Sequence, residues 1–336
     1  MSDSMAVPPS QDSGLFGVDL EMDRNSVIII GVPWEATASY GRGTSQTPQA
    51  LIPASHQLDF FDLRLGREFG DAVGMLPINE EWAQWNESSR VLADEVRQKG
   101  LDEKTRALHI AEVNRVSQAL NEAVYTQTRD LLRKGKKVGV LGGDHSTPLG
   151  AMLAIYEKWP DMGVLHIDAH HDLRKAYEGF VYSHASIMYN LLNQVGDMAL
   201  VSVGIRDFCQ EEYLYARGHE KVTTWYDAHL QKSLSRGTNW EHMCRQIVDG
   251  LPEQVYISMD IDGLDPALCP HTGTPVPGGL NFGQANCLLE WVVETGREVV
   301  GFDLCEVAPH KTDPENEWDL NVGARMLHKL CSLTET

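Results

Sequence analysis

Four segments of the chain carry residue types suited to metal-dependent chemistry, and each directly follows a short apolar run. They are Gly142–Ser146, Asp168–Asp172, Asp260–Pro266 and Asp303–Glu306. The carboxyl ends of parallel strands form the ligand crevice of an open sheet, so segments far apart in sequence can converge on one site. Their aspartate and histidine side chains are oxygen and nitrogen ligands suited to Mn, Fe, Ni or Zn.

The spacing within these segments is that of chelating ligands. In extended backbone, residues i and i+2 point to the same side, so Asp168 pairs with His170 and Asp260 pairs with Asp262. Six ligands exceed the need of one tetrahedral ion and suit two divalent ions about 3.5–4 Å apart, whose charge four aspartates would balance. The six predicted metal ligands are His145, Asp168, His170, Asp172, Asp260 and Asp262.

An alternation of short apolar runs with longer amphipathic stretches must position these segments. Such alternation predicts βαβ units and a largely parallel sheet with helices on both faces. The longest helical pattern covers Glu103–Lys134, and Ser146, Asn239 and Asn281 are predicted to cap further helices. We expect eight strands, at residues 26–32, 72–76, 137–141, 163–167, 200–204, 222–225, 254–259 and 299–304.

Eight strands in one sheet would use almost the whole chain, so we predict a single domain over residues 26–336. Residues 1–25 are polar and rich in Ser, Pro and Asp, and we expect a flexible tail there. Residues 78–100 contain two tryptophans and many charges, which predicts a surface insertion.

Composition limits the classes of partner. The chain has 336 residues and a formal charge of −20, from 28 basic and 48 acidic side chains. An acidic surface repels phosphate backbones and anionic lipids, so we expect no nucleic acid and no membrane as partner and favour a small cation. The six cysteines lack C-x-x-C spacing, and neither a signal peptide nor a membrane-spanning apolar run is visible, so a cytoplasmic location is expected.

A family resemblance rests on three of the polar segments. Gly142–Ser146, Asp168–Asp172 and Ser258–Pro266 resemble the signature motifs of the ureohydrolases, the family of arginase and agmatinase. The resemblance implies a three-layer arginase-like α/β fold with an eight-stranded parallel sheet, a homo-oligomer (trimer or hexamer) and a small guanidino substrate. It covers residues 26 to about 330 and includes Gly31–Pro33, Gly41–Pro48, Gly273–Gly279 and Gly301–Pro309.

The same resemblance implies a role for each site residue. Glu306 matches the carboxylate that receives the guanidinium group, and Asp172 would accept a hydrogen bond from the attacking hydroxide. His184 stands where the family has its proton-shuttle histidine, although Ala185 replaces the usual glycine. Hydroxide formed between the ions would release urea and an amine. The resemblance assigns the ligands to two ions, with His145, Asp168, Asp172 and Asp260 for the first and Asp168, His170, Asp260 and Asp262 for the second.

The loop before His184 bears on the substrate. It is aromatic and basic, and Tyr182–Ser183 stands where agmatinases often carry an acid. Together with Pro33–Thr37, it resembles the guanidine hydrolase branch, which is associated with nickel. We therefore predict guanidine or a small alkylguanidine as substrate, with Tyr182 and Thr37 as substrate-binding residues. The aromatic side chains expected to close a small pocket are Tyr177, Phe180, Tyr182 and Trp318.

Several alternatives stay open. The aromatic residues would also serve simply to pack the loop, and agmatinase is the second choice of activity, followed by guanidinobutyrase or arginase. A metal-dependent deacetylase shares the fold but typically binds a single zinc ion. A non-catalytic partner subunit should have lost ligands, and none of the six is missing. The ligand set suits Mn²⁺ and Ni²⁺ alike, and a paralogous partner subunit is compatible with it.

Overall fold

The computed structural model describes residues 10, 13–63, 66–68 and 72–334. Eight of the described strands form one sheet, in which every neighbouring pair is parallel. The strands are β1 (Val27–Gly31), β2 (Phe61–Asp62), β3 (Arg67–Glu68), β4 (Val73–Met75), β5 (Lys137–Leu141), β6 (Gly163–Ile167), β7 (Leu200–Ile205), β8 (Val222–Tyr226), β9 (Gln254–Asp260) and β10 (Glu298–Cys305). The sheet order is β4-β1-β5-β10-β9-β6-β7-β8, and β2 pairs with β3 in a separate antiparallel ribbon.

Helices cover both faces of the sheet. Because side chains alternate along a strand, Ile29 of β1 packs into the core on one face and Ile28 into the core on the other. The helices are α1 (Thr47–Ala54), α2 (Glu80–Arg97), α3 (Glu103–Arg133), α4 (Leu149–Lys158), α5 (Ile187–Val195), α6 (Gln210–Gly218), α7 (Asp227–Ser235), α8 (Trp240–Val248), α9 (Phe282–Glu294) and α10 (Trp318–Thr334). The first core includes side chains of α1, α8, α9 and α10, and the second includes side chains of α3, α4 and α5.

This architecture confirms the predicted fold class, an eight-stranded parallel sheet between two helical layers. All eight predicted strands are present, α3 has nearly its predicted bounds, and Asn239 and Asn281 cap α8 and α9. The cap at Ser146 was predicted wrongly. Its backbone N–H and its hydroxyl both donate to Asp144, which forms a turn, and α4 begins only at Leu149.

Two other predictions differ from the structure. Residues 78–100 are not a surface insertion, because α2 packs along α3 with Trp82 and Val96 buried. The latter part of the predicted tail is also packed, since Leu15 and Phe16 lie in the core. Residues 1–9, 11 and 12 of that tail lie outside the described residues. Across the described ranges, the helices are too short or too polar to cross a membrane.

Candidate active site

The sheet order brings the four polar segments together. Strands β5, β10, β9 and β6 are neighbours at the centre of the sheet, and the site residues lie at their carboxyl ends. His145 follows β5, Asp168 follows β6, Asp260 ends β9, and Glu306 follows β10. All four side chains are buried. The convergence expected for the ends of parallel strands is therefore present.

The first cluster surrounds the imidazole of His145. Its Nδ1 lies 3.0 Å from Oδ2 of Asp168 and 3.0 Å from Oδ2 of Asp172. A third carboxylate oxygen, Oδ2 of Asp260, lies 3.4 Å from the same nitrogen. Three carboxylates around one imidazole nitrogen form a compact set of oxygen and nitrogen ligands for a divalent ion.

The second cluster shares Asp168 with the first. Nδ1 of His170 lies 3.4 Å from Oδ1 of Asp168 and 3.1 Å from Oδ2 of Asp262. Asp168 thus presents one oxygen to each cluster. His171 faces elsewhere, with its Nε2 3.3 Å from the hydroxyl of Tyr226. The structure brings all six predicted ligands into one place.

The electrostatics of the clusters fit cations. Burial, followed by the neighbouring carboxylates of Asp262 and Asp168, raises the pKa of Asp260 well above its usual range. Burial and the Asp168 carboxylate raise the pKa of Asp172 to about 6. The carboxylates thus repel one another where their oxygen atoms meet. Bound divalent ions would remove this repulsion by neutralising the negative charge. The cluster can therefore hold metal ions.

Backbone strain coincides with function at two residues. Asp172 has φ of 54° and Glu306 has φ of 62°, in the left-handed region that side chains other than glycine rarely adopt. Such strain costs of order 1–3 kcal/mol per residue and persists only where the surroundings impose it. At Glu306 the backbone N–H donates to the carbonyl of Gly143, and Thr272 donates its hydroxyl to the Glu306 carbonyl. These contacts hold the carboxylate at the base of the site.

Three buried residues behind the predicted ligands were given no role from the sequence, namely Ser258, Asp303 and His166. Nε2–H of His145 donates to Oγ of Ser258 over 2.9 Å, and Ser258 donates in turn to Oδ1 of Asp303 over 3.2 Å. Nε2 of His166 lies 2.8 Å from Oδ2 of Asp168. The signal was available, because Ser258 and His166 each stand two residues before a ligand on the same strand. The hydrogen bonds from His145 to Ser258 and from Ser258 to Asp303 place the ring proton of His145 on Nε2. Nδ1, which faces the carboxylates, can then bind a metal ion.

Removing the hydroxyl of Ser258 is expected to weaken metal binding by about 10- to 100-fold, the usual effect of losing a partner that orients a metal-bound histidine. A Ser258→Ala variant tests this in a competition titration against a chelator. Ser117→Ala is the matched control, because that hydroxyl is also buried but donates only to a carbonyl of its own helix. Equal metal affinity in both variants would show that Ser258 does not orient His145.

Beside the predicted metal ligands lies a narrow cleft lined by Glu306, which we name the inner cavity; it is too tight to hold a water-sized sphere. Oε1 of Glu306 accepts the backbone N–H of His145 over 3.0 Å. Oε2 is buried and has no hydrogen-bond partner in the described part of the chain. It faces Gly273, where an added Cβ would lie 2.5 Å from Oε2. A buried hydrogen-bond acceptor without a partner, next to a residue that lacks a side chain, is suited to bind a ligand that donates hydrogen bonds. The inner cavity is lined by Ser39, Gly41, His184, Gly273, Thr274 and Glu306.

The inner cavity continues into a wider outer cavity of about 140 Å³. The two share Ser39, His184 and Thr274. His184 lies at the junction, with Nε2 3.5 Å from Oγ of Ser39 and its ring edge-on to Tyr177 at 5.9 Å between centroids. Burial, followed by the charges of His170 and Arg97, lowers the pKa of His184 to about 3. His184 is therefore neutral at pH 7.

The residues predicted to bind substrate are placed differently. Thr37 is buried and donates its hydroxyl to Asp144 over 3.3 Å, and Ser39 of the same loop lines both cavities instead. Tyr182 packs against the core on the α3 side. Phe180 is buried in a separate apolar cluster with α2 and α3. Of the four aromatic residues expected to close a pocket, Tyr177 lines the outer cavity.

Trp318 is not among the residues that line the inner or the outer cavity. It is half exposed, and its indole N–H donates to the carbonyl of Ala267 over 3.0 Å. The positions of Trp318, at the start of α10, and of the loop residues above depend on contacts with residues distant in sequence, and the local residue pattern does not predict such contacts.

Known proteins share both the sequence and the fold of this chain. The N(1)-aminopropylagmatine ureohydrolase of Thermus thermophilus is 34% identical over 295 residues, which cover 87% of this chain and 86% of that protein. The agmatinase of Bacillus anthracis is 29% identical, with 85% of each chain covered. Among solved structures, the agmatine ureohydrolase of Thermoplasma volcanium has a TM-score of 0.71 at 26% identity, covering 94% of this chain and 92% of that one.

The family assignment follows from this similarity together with the site. The model of the arginase family matches residues 25–332, nearly the whole chain. This match confirms the resemblance seen in the three motifs. The chain belongs to the arginase family and is a ureohydrolase, a hydrolase that acts on guanidino C–N bonds.

Proposed function

We propose that this ureohydrolase cleaves a guanidine that carries a cationic alkylamine tail, releasing urea and an amine. The observation that supports it best is the lining of the two cavities. The inner cavity is lined by Glu306 with its unpartnered Oε2, both cavities are lined by His184, and the outer cavity is lined by the exposed carboxylate of Asp207. A guanidinium group at one end and an ammonium group at the other would each meet a carboxylate.

Two divalent ions, Mn²⁺ or Ni²⁺, are part of the proposal. The donor set fits them, because oxygen and imidazole nitrogen ligands meet in two clusters that share Asp168. When bound, such ions supply hydroxide at neutral pH by lowering the pKa of water to about 7. The residues that would hold them are His145, Asp168, Asp172 and Asp260 for one ion and Asp168, His170, Asp260 and Asp262 for the other.

The protein side chains orient the substrate and move the proton. Glu306 accepts hydrogen bonds from the planar guanidinium, and its second oxygen is fixed by the N–H of His145. Asp172, on the floor of the outer cavity, accepts a hydrogen bond from the nucleophile. His184 is neutral, so it relays a proton from solvent to the leaving nitrogen, since departure of an amide anion is prohibitive.

The lining of the outer cavity favours a substrate with an alkylamine tail over a small guanidine held in a closed pocket. The preference for guanidine itself was based on four aromatic side chains, and only Tyr177 lines the cavity. Two carboxylates, Asp207 and Glu212, face one guanidinium, Arg174, which leaves net negative charge. Glu212 is the partner of Arg174 at 3.4 Å, whereas Asp207 is 69% exposed and accessible to an ammonium group. The relatives described above, an agmatinase and an aminopropylagmatine ureohydrolase, agree with such a substrate.

A substrate panel tests the proposal. Urea release should be measured for agmatine, aminopropylagmatine, guanidinobutyrate, arginine, guanidine and methylguanidine, with protein loaded separately with Mn²⁺ and Ni²⁺. We expect the highest kcat/KM for a guanidinoalkylamine. Highest turnover of guanidine or methylguanidine would replace the tail-bearing substrate with the small one. The absence of urea from every compound would overturn the proposed activity.

Asp207→Asn tests the role assigned to the outer carboxylate. We expect kcat/KM for agmatine to fall by about two- to fivefold, since an exposed ion pair contributes only about 0.2–1 kcal/mol. Turnover of guanidine, which has no tail, should not change. Metal content is measured in parallel because Oδ2 of Asp207 lies 4.0 Å from Nε2 of His170. Equal losses for agmatine and guanidine would contradict the assignment.

A further inference from the structure

Helix α2 contacts both loops that line the cavities. We name residues 34–43 the first entrance loop and residues 173–183 the second entrance loop. Arg97, in the last turn of α2, donates from Nη2 to the carbonyl of Thr37 in the first loop over 2.9 Å. Its Nε donates to Oε2 of Glu178 in the second loop over 2.6 Å. One guanidinium group therefore connects the two loops.

The Arg97 side chain is itself held in place. Nη1 lies 3.4 Å from Oδ1 of Asp94, one turn earlier on α2. The guanidinium also lies over the ring of Phe180, 5.8 Å from its centroid, and the arginine side chain is 19% exposed. Its partner Glu178 has φ of 55°, so the second loop adopts a strained backbone at the point of contact. Such a conformation requires partners that hold it, and Arg97 is one of them.

The residues next to these contacts face His184. Thr37 is two residues from Ser39, whose hydroxyl lies 3.5 Å from Nε2 of His184. Glu178 directly follows Tyr177, whose ring packs edge-on against the His184 ring. A shift of either loop would thus move a neighbour of the proton-relay residue and change the junction of the two cavities.

A second ion pair of α2 supports the first loop. The buried carboxylate of Glu35 accepts the backbone N–H of Gly43 over 2.6 Å and a hydrogen bond from Nη1 of Arg90 over 3.1 Å. Asn86 accepts the backbone N–H of Glu35 over 2.7 Å. The first entrance loop is therefore fixed to α2 at Glu35 and at Thr37, and Arg97 is the residue of these contacts that also reaches the second loop.

We propose that Arg97 is a positioning residue that fixes the two entrance loops relative to each other around His184 and so determines substrate binding. Its effect on catalysis rests on the proposed function, whereas its effect on the order of the loops does not. Arg97 touches neither the metal ligands nor Glu306 in the contacts described. Its positioning effect therefore runs through Ser39 and Tyr177, in addition to the effect of its charge, which lowers the pKa of His184.

The test compares Arg97→Met, Arg97→Lys and Glu178→Gln in the metal-loaded protein. Arg115→Met is the matched control, since Arg115 is an exposed arginine that pairs only with Glu112 on its own helix, among the ion pairs described. Hydrogen exchange of the two entrance loops is measured by mass spectrometry, and kcat and KM are measured with the best substrate of the panel. Unfolding temperature and metal content are recorded for every variant.

For Arg97→Met we expect faster exchange in both loops alone and a rise in KM of about tenfold with a smaller change in kcat, as loss of positioning predicts. Arg97→Lys should be intermediate, because one ammonium cannot span both partners as a guanidinium does. Glu178→Gln should loosen mainly the second loop. If Arg97→Met fails to fold, hydrogen exchange and KM of Glu178→Gln provide the test of the proposal.

Unchanged exchange in both loops, or faster exchange spread over the whole protein, would overturn the proposal. An unchanged KM with loosened loops would leave Arg97 a structural residue and would also overturn it. Failure of the proposed function gives a different result, because the wild-type protein would then release no urea while the loop exchange still responds to Arg97→Met.

Discussion

Asp168→Asn is expected to remove metal from both clusters and to lower urea release by at least about a thousandfold, since without the ions the pKa of water returns from about 7 towards 15.7. Asp168 is the ligand that the two clusters share. Its Oδ2 faces Nδ1 of His145 at 3.0 Å, and its Oδ1 lies 3.4 Å from Nδ1 of His170. An amide has one oxygen and one NH₂ group, so Asn can serve one cluster and presents hydrogens to the other.

Metal content per chain, urea release and unfolding temperature check this expectation. Added Mn²⁺ or Ni²⁺ should raise the unfolding temperature of the wild-type protein, because an ion that binds the folded state stabilises it. The variant should show little or no rise. Asp161→Asn is the control, since Asp161 is exposed in the turn before β6 and lies at the opposite end of that strand. A variant that keeps two ions per chain and full turnover would refute the shared-ligand assignment.

The sequence predicted those parts of the molecule that follow from local pattern. Apolar runs predicted all eight strands of the sheet. The alternation of side chains predicted the pairs Asp168/His170 and Asp260/Asp262, and in the structure Asp262 lies in a short 3-10 turn after β9 and faces His170, whereas Asp260 faces His145. The carboxyl ends of parallel strands lie at the same edge of the sheet whatever the strand order. The convergence of the site residues could therefore be predicted without knowing that order. The convergence of the six predicted ligands was predictable, because each lies at or shortly after the end of a strand.

The entrance to the site depends on contacts between distant residues, and there prediction failed. Thr37 and Ser39 are both hydroxyl residues of one loop, and only the partner of Thr37, Asp144, decides which of them faces the cavity. Phe180 was assigned to the pocket from its aromatic type, but α2 and α3 offer an apolar cluster that buries it. The charges of residues 78–100 suggested an exposed surface, although several of them pair with the entrance loops. Residue type alone does not predict which of these side chains face the cavity and which pack elsewhere.

Glu306→Gln is expected to lower kcat/KM for the guanidino substrate by about 30- to 4,000-fold, which corresponds to the roughly 2–5 kcal/mol lost when one partner of a buried charged pair is removed. A carboxylate offers two oxygens to a guanidinium, while Gln replaces one of them with a donor that faces the N–H groups of the substrate. Metal content should remain at the wild-type level, because Glu306 is not among the ligands of either cluster. This separates the result from that of Asp168→Asn.

Gly273→Ala provides an independent check that leaves the carboxylate intact. The added Cβ would lie 2.5 Å from Oε2 of Glu306, closer than two such atoms can approach, so it would displace that oxygen and fill the position beside it where the guanidinium is expected. Both variants should therefore raise KM sharply with metal bound, one by removing charge and the other by removing space. Gly218→Ala is the steric control, since a Cβ at that position meets no atom within 4 Å. If Gly273→Ala turned over substrate as the wild type does, the guanidinium would have to bind elsewhere, and the loss in Glu306→Gln would then reflect the backbone N–H of His145 that Glu306 also holds.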